Sequence, residues 1–183
     1  MTKRFETEEK NLVLIGMPGA GKSTIGVILA KYLSLDFIDS DVYIQAQKGK
    51  TLQEIINIDG LEYFCALEEE YILTLSCTSS VIATGGSVIY SDKAMRHLKS
   101  NGIIIYLYLP FTILEKRLSN FCSRGVVIKE GQRLSDLYNE REPLYRRYGD
   151  IIVNCTNLIH EDVIEAIITK NLFNRDLTKR GVV

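Results

Sequence analysis

The chain has 183 residues, 46% of them hydrophobic and 25% charged, with a formal net charge of −1. That size suits one domain with a central sheet covered on both faces, and the composition argues against disorder. The balanced charge supplies no basic field for nucleic acid or an acidic membrane surface, no apolar run is long enough to span a bilayer, and residues 1–10 are too polar for a signal peptide.

A cytoplasmic monomer without nucleic-acid or membrane partners is therefore the expected state. Cys65, Cys77, Cys122 and Cys155 are scattered without metal-binding or redox spacing and are expected to be reduced thiols.

In chain order, the apolar run Asn11-Leu12-Val13-Leu14-Ile15 predicts a buried strand, followed by a glycine-bearing loop and a helix over 24–33. A short strand is predicted at 36–39, then helices over 40–48, 51–58 and 61–77. Thr51-Leu52-Gln53-Glu54 has capping-box spacing and marks the second helix start. A third strand at 80–84 breaks at Gly85-Gly86, a helix covers 92–100, and an apolar strand at 102–109 is stopped by Pro110. A helix over 111–119 turns Leu114 and Leu118 inward. Residues 120–133 lack periodicity, carry Gly125 and Gly131, and read as a long loop. A helix over 134–148, a fifth strand at 150–154 and an amphipathic helix over 161–173 complete the core, and the tail 174–183 is expected to be mobile. His97 and His160 fall in helices with no partner in view and read as surface residues.

Strands alternating with helices predict an α/β three-layer sandwich: a parallel sheet, right-handed crossovers and helices on both faces, in a single domain over 1–183 with its core at about 11–173. In such sheets ligands lie beyond the carboxyl ends of the strands. The same edge gathers Gly16–Ser23, Asp39–Asp41, Gly85-Gly86 and the loop after Pro110.

Gly16-Met17-Pro18-Gly19-Ala20-Gly21-Lys22-Ser23 spells a phosphate-binding loop with a strand before it and a helix after it, as that loop requires. Its amides and the helix N-terminus cradle polyphosphate oxygens, Lys22 reaches the β- and γ-phosphates, and the Ser23 hydroxyl is placed to hold Mg2+. Asp39 and Asp41 close the second strand. As alternate residues of an extended segment they would face the same way, one toward the magnesium waters and one toward an acceptor hydroxyl. The competing reading is a helix N-cap, and one acid can do both. Gly85-Gly86 either brings backbone N–H groups close to a ligand or makes a simple turn. Arg124, inside the glycine-bearing loop, suits a flap closing over the γ-phosphate. Arg141 suits a bidentate grip on a substrate carboxylate; a solvated surface charge is the bland alternative for each.

Together these residues resemble the shikimate kinase family of nucleoside-monophosphate-kinase-like proteins over about 11–165. Asp39-Ser40-Asp41 resembles its paired-aspartate motif, Phe64-Cys65-Ala66-Leu67-Glu68 stands at its Phe-Arg-x-x-Glu segment, Ala83-Thr84-Gly85-Gly86 matches its glycine motif, and Arg141-Glu142-Pro143-Leu144-Tyr145 is similar to its Arg-x-Pro-Leu-Tyr segment. The resemblance implies a five-stranded P-loop kinase fold, a mobile lid at about 120–133, and MgATP as phosphoryl donor. It implies nucleotide contacts from Gly19, Ala20, Gly21, Lys22, Ser23, Thr24, Arg117 against adenine, and Arg124. It further implies Asp39 in the outer shell of Mg2+ beside Ser23, Asp41 on the acceptor hydroxyls as base, and Gly85, Gly86 and Arg141 around the acceptor. The implied reaction is phosphorylation of the 3-hydroxyl of shikimate, with Lys22, Asp41 and Arg124 carrying catalysis.

Three positions depart from the family pattern. Cys65 replaces an arginine that helps hold the shikimate carboxylate, Ser87 replaces the third glycine of the usual run, and Gly125 replaces a proline of the lid. Loss of charge-assisted hydrogen bonds at position 65 costs on the order of 1.5–3 kcal/mol of acceptor binding unless another cation substitutes. The competing functions are a related kinase acting on another small hydroxylated metabolite and an ATP-binding regulatory protein that has lost catalysis.

Overall fold

The structure is a computed structural model that describes residues 10–119 and 132–179. The expected lid, with Arg124, Gly125 and Cys122, falls almost wholly outside the described residues. Five strands form one parallel sheet: β1 (Asn11–Ile15), β2 (Asp36–Asp39), β3 (Ser80–Ala83), β4 (Gly102–Tyr108) and β5 (Ile151–Asn154), in the order β2-β3-β1-β4-β5. β1 is buried at every position because it lies between β3 and β4, pairing Val13 with Ile82 on one side and Ile104 on the other. An unbroken apolar run is what such a central parallel strand requires.

Among the described residues, eight α-helices connect and cover the strands: α1 (Lys22–Leu33), α2 (Ser40–Lys48), α3 (Leu52–Asp59), α4 (Leu61–Thr74), α5 (Asp92–Ser100), α6 (Phe111–Ser119), α7 (Leu134–Tyr148) and α8 (His160–Lys179). The crossover from β1 to β2 and that from β3 to β4 run in opposite directions across the sheet. Right-handed connections therefore put α1 and α5 on opposite faces. α8 returns to pack against α1, while α7 lies against β4. The predicted five-stranded parallel α/β sheet is the one observed.

A separate small core of Ile44, Leu52, Ile55 and Phe64 joins α2, α3 and α4 beside the β2 edge. Burying Phe64 contributes roughly 1.5–3 kcal/mol and fixes the rotation of α4. That rotation decides where Glu68, one turn further on, points.

The boundaries that differ have local causes. α1 starts at Lys22, because Gly21 takes a left-handed conformation with φ 98° and is the N-cap. α4 ends at Thr74, three residues before the expected end, where Leu75 turns extended so that the chain can enter β3. α8 continues to Lys179, so residues 174–179 of the expected tail are helical. Val88–Tyr90 forms a 3-10 turn that no periodicity announced. His97 has a partner after all: its Nε2 lies 2.8 Å from the Leu75 carbonyl oxygen. Cys65, Cys77 and Cys155 form no disulfide, and no helix among the described residues is long and apolar enough to cross a membrane.

Candidate active site

The loop between β1 and α1 is shaped by its glycines. Gly19 and Gly21 hold φ of 79° and 98°, which β-carbon-bearing residues rarely adopt. Among the described residues no side chain caps α1, and no acid sits in its first turn, so its N-terminal amides and positive dipole end suit an anion. Ser23 and Thr24 are exposed there. Lys22 is 9% exposed, and its Nζ donates to the carbonyls of Gly16 (2.7 Å) and Met17 (3.1 Å). Burial lowers its pKa to about 8, and the nearby Asp41 opposes the shift. Arg117, on α6, donates from Nη1 to the Gly19 carbonyl at 3.2 Å, which ties that helix to the loop.

Asp39 ends β2 and caps α2, its Oδ1 accepting from the amides of Asp41 (3.0 Å) and Val42 (3.1 Å). The capping reading is thus observed for Asp39. The two acids are not alternate residues of one strand as expected, because α2 begins at Ser40 and carries Asp41 in its first turn. Ser40 is fully buried, and its Oγ accepts from the Gly85 amide at 2.8 Å. Gly85 therefore spends its N–H inside the protein.

What Gly85 offers instead is the absence of a side chain. A β-carbon there would stand 2.0 Å from Glu68 Oε1 and 2.6 Å from Asp41 Oδ1. Two carboxylate oxygens thus converge over this one residue, and neither accepts a hydrogen bond among the described residues. The other Glu68 oxygen accepts from Ser87 Oγ at 2.6 Å, with Glu68 1% and Ser87 2% exposed. Gly86 is equally close-packed: its β-carbon would meet Arg141 Nη1 at 3.1 Å and Pro18 at 3.2 Å, so the glycine turn, α7 and the phosphate loop touch at this point.

Arg141 is 1% exposed, which replaces the surface-charge alternative with a built position. Its Nε donates to the Tyr90 hydroxyl at 3.0 Å, and its guanidinium lies 5.1 Å from that ring centroid. Tyr145, one turn along α7, donates to the Gly86 carbonyl at 2.6 Å. The structure therefore brings together Lys22, Asp39, Asp41, Gly85, Gly86 and Arg141 at one sheet edge. Sequence reasoning missed Ser40, Glu68 as a member of the site, Ser87 as its donor, Tyr90 and Tyr145.

Burial pushes Asp41 up to about 6 and, aided by the Asp41 charge, Glu68 up to about 8. Both carboxyls hold protons more tightly in the folded chain than in the unfolded one. The stability this provides is complete below the unfolded range near pH 4 and is lost as pH rises through about 6 and then 8. The melting temperature of the nucleotide-free chain, followed by circular dichroism, is expected to fall between pH 5 and 8. Glu68→Gln should flatten the upper part of that fall, and an unchanged slope in the variant would remove Glu68 as its source.

The shikimate kinase family model matches residues 18–171. A shikimate kinase of Clostridium botulinum (strain Eklund 17B / Type B) is 39% identical over 168 residues, covering 89% of this chain and 99% of its own. A shikimate kinase 2 of Enterobacter sp. (strain 638) is 34% identical over 169 residues, covering 86% and 93%. Among solved structures, a shikimate kinase from Acinetobacter baumannii in complex with shikimate superposes with a TM-score of 0.85 at 34% identity, covering 93% of this chain and 96% of its own. A phosphate-binding loop, an acidic residue opposite it and a buried arginine, carried on a sheet that superposes on these kinases, lead to one conclusion: the chain belongs to the shikimate kinase family of ATP-dependent kinases.

Proposed function

We propose that this chain transfers the γ-phosphoryl group of MgATP to the 3-hydroxyl of shikimate. The observation that carries the reading is Asp41, whose buried Oδ1 lies against Gly85, next to the Gly86 that packs on both Pro18 of the phosphate loop and the buried Arg141. Gly19, Ala20, Gly21, Lys22, Ser23 and Thr24 hold the polyphosphate, and Arg117 lies along the adenine. Arg124 belongs to the same proposal as a catalytic residue on the 120–133 lid. Gly85, Gly86 and Arg141 bound the acceptor, with Arg141 facing its carboxylate. The chain is proposed to work as a single domain and a monomer in the cytoplasm, without nucleic-acid or membrane partners.

For Mg2+ the available donors are oxygens: the exposed Ser23 hydroxyl and, in the outer shell, the Asp39 carboxylate whose Oδ1 also caps α2. An oxygen-only set suits this hard cation, which would supply charge neutralisation at the β- and γ-phosphates when bound. The protein's own groups do the rest. Lys22 offsets charge gathering on the transferred group, and Asp41 orients the acceptor hydroxyl and takes its proton.

A coupled ADP-release assay with shikimate tests the proposal. Shikimate-dependent turnover at roughly 1–100 per second is expected, the usual range for kinases. Release of ADP that does not respond to shikimate would overturn it.

A further inference from the structure

We propose that Tyr90 is a positioning residue for the acceptor: its hydroxyl and ring hold the Arg141 guanidinium in the orientation that grips the acceptor carboxylate, and so set the preference for a carboxylate over an uncharged group. This role rests on the reading of Arg141 given above and names the side chain that makes the grip selective.

An arginine side chain is long and flexible, and its planar guanidinium meets a carboxylate through two parallel N–H bonds only in a defined orientation. Tyr90 restrains that orientation in two ways. Its hydroxyl oxygen accepts from Arg141 Nε at 3.0 Å, which limits rotation at the end of the side chain. Its ring centroid lies 5.1 Å from the guanidinium carbon, close enough for a cation–π contact. With Nε held to Tyr90, Nη1 stands 3.1 Å from the β-carbon position of Gly86. The neighbouring Gly85 is the residue whose β-carbon position Asp41 Oδ1 approaches at 2.6 Å. The orientation fixed by Tyr90 therefore places the guanidinium one residue along the glycine turn from the proposed base.

A phenol suits this task better than an acid. Burial raises the Tyr90 pKa against the opposing effect of Arg141, and Glu140 adds to the rise, so the hydroxyl stays neutral near pH 7. A neutral oxygen directs Nε without placing a negative charge on it. A carboxylate at position 90 would instead form an ion pair with Arg141 and compete with the carboxylate of the acceptor.

Docking of α7 does not depend on this contact. Arg141, Tyr145 and Tyr148 lie along one face of the helix and all reach the segment 86–92. Tyr145 donates to the Gly86 carbonyl at 2.6 Å, and Tyr148 donates to Asp92 Oδ1 at 3.1 Å. Both bonds remain when the Tyr90 hydroxyl is removed. Tyr90 itself is 41% exposed and lines a cavity of about 420 Å³ with Cys65, Ser87 and Ser91. Shortening its side chain opens onto that cavity rather than into the core. A change at Tyr90 thus reaches the acceptor through Arg141 and not through the fold.

The test uses the full chain with MgATP and two acceptors, shikimate and its methyl ester, which share every hydroxyl and differ in the negative charge. The readout is the ratio of their kcat/KM values, which partial unfolding leaves unchanged because it lowers both alike. The wild type is expected to favour the acid. Tyr90→Phe keeps the ring and removes the accepting oxygen; it should lower the ratio roughly tenfold through a higher KM for shikimate, with kcat and the KM for MgATP within about twofold. Tyr90→Leu removes the ring as well and should lower the ratio further. In an Arg141→Lys background, with no guanidinium to orient, Tyr90→Phe should change the ratio less than about twofold. A wild-type ratio near one, equal losses on acid and ester, an unchanged ratio in both Tyr90 variants, or an undiminished Tyr90→Phe effect beside Arg141→Lys overturns the inference and leaves the kinase reading in place. A wild-type chain that releases no ADP in response to shikimate overturns the kinase reading, and the role of Tyr90 with it.

Discussion

Replacing Asp41 with Asn is expected to lower acceptor-dependent kcat about 1,000-fold while nucleotide affinity at pH 6.5 stays within about threefold, the range set by losing a positioned general base. Asn keeps the shape of the side chain and its place in the first turn of α2, and the backbone there remains capped by Asp39 Oδ1. Removed are the charge that orients a hydroxyl and the basic site that accepts its proton. The wild-type rate should rise through about pH 6 as Asp41 ionises, and the variant should lack that limb. Nucleotide binding should respond in the opposite sense. Asp41 is the largest influence opposing the desolvation of Lys22, so its loss moves the Lys22 pKa further below about 8. The variant should therefore lose nucleotide affinity earlier than wild type as pH rises, seen by titration calorimetry at pH 6.5 and 8. A variant retaining more than a tenth of wild-type turnover would remove Asp41 from the chemistry.

The contrast between what was legible and what was not follows the range of the interactions. The phosphate loop is written in consecutive residues, since a run of glycines, a lysine and a serine between an apolar strand and a helix fixes both conformation and use. The capping box at Thr51 and Glu54 is similarly local: both of its hydrogen bonds form, Thr51 N to Glu54 Oε2 at 2.7 Å and Glu54 N to Thr51 Oγ1 at 3.3 Å. The paired aspartates were visible as residues but not as geometry. Whether the strand ends before or after Ser40 depends on the Gly85 amide reaching Ser40 Oγ from 45 positions away. Ser87 to Glu68 and Tyr145 to Gly86 are likewise contacts between distant elements, set by how α4 and α7 pack on the β3 end. No periodicity encodes them. The signal available for Glu68 was its spacing, four residues from Phe64 and four from Ile72 on one face of α4, because an acid on an apolar face is almost never buried unless paired.

The acceptor end is built from polar groups that are costly to bury, and they hold one another in place. Gly85 N–H to Ser40, Ser87 to Glu68, Tyr145 to Gly86 and Arg141 to Tyr90 form a shell around two carboxyl oxygens that have no hydrogen-bond partner among the described residues. Such a shell of buried polar groups costs stability and fixes the geometry of the acceptor end. The phosphate end works differently, from backbone amides and a helix end that α6 supports through Arg117. Nucleotide binding and acceptor binding should therefore respond separately to mutation at the glycine turn.

Gly85→Ala tests that separation most severely. The φ of Gly85 lies outside the left-handed region, so alanine meets no backbone strain there. The whole effect comes from the added methyl, which would stand 2.0 Å from Glu68 Oε1 and 2.6 Å from Asp41 Oδ1. Both carboxylates must move, and overpacking of this kind costs roughly 1–3 kcal/mol. A melting temperature lower by several degrees is expected, with acceptor kcat/KM reduced more than about 100-fold, because displacing a positioned group by an ångström costs that much. MgATP affinity should change less than about threefold. Combining Gly85→Ala with Glu68→Ala removes the closer of the two clashes, so the double variant should lose less stability than the single variants together. Activity should not return, since the methyl still displaces Asp41. Wild-type acceptor kinetics in Gly85→Ala would show that the two carboxylates do not converge over this residue in solution.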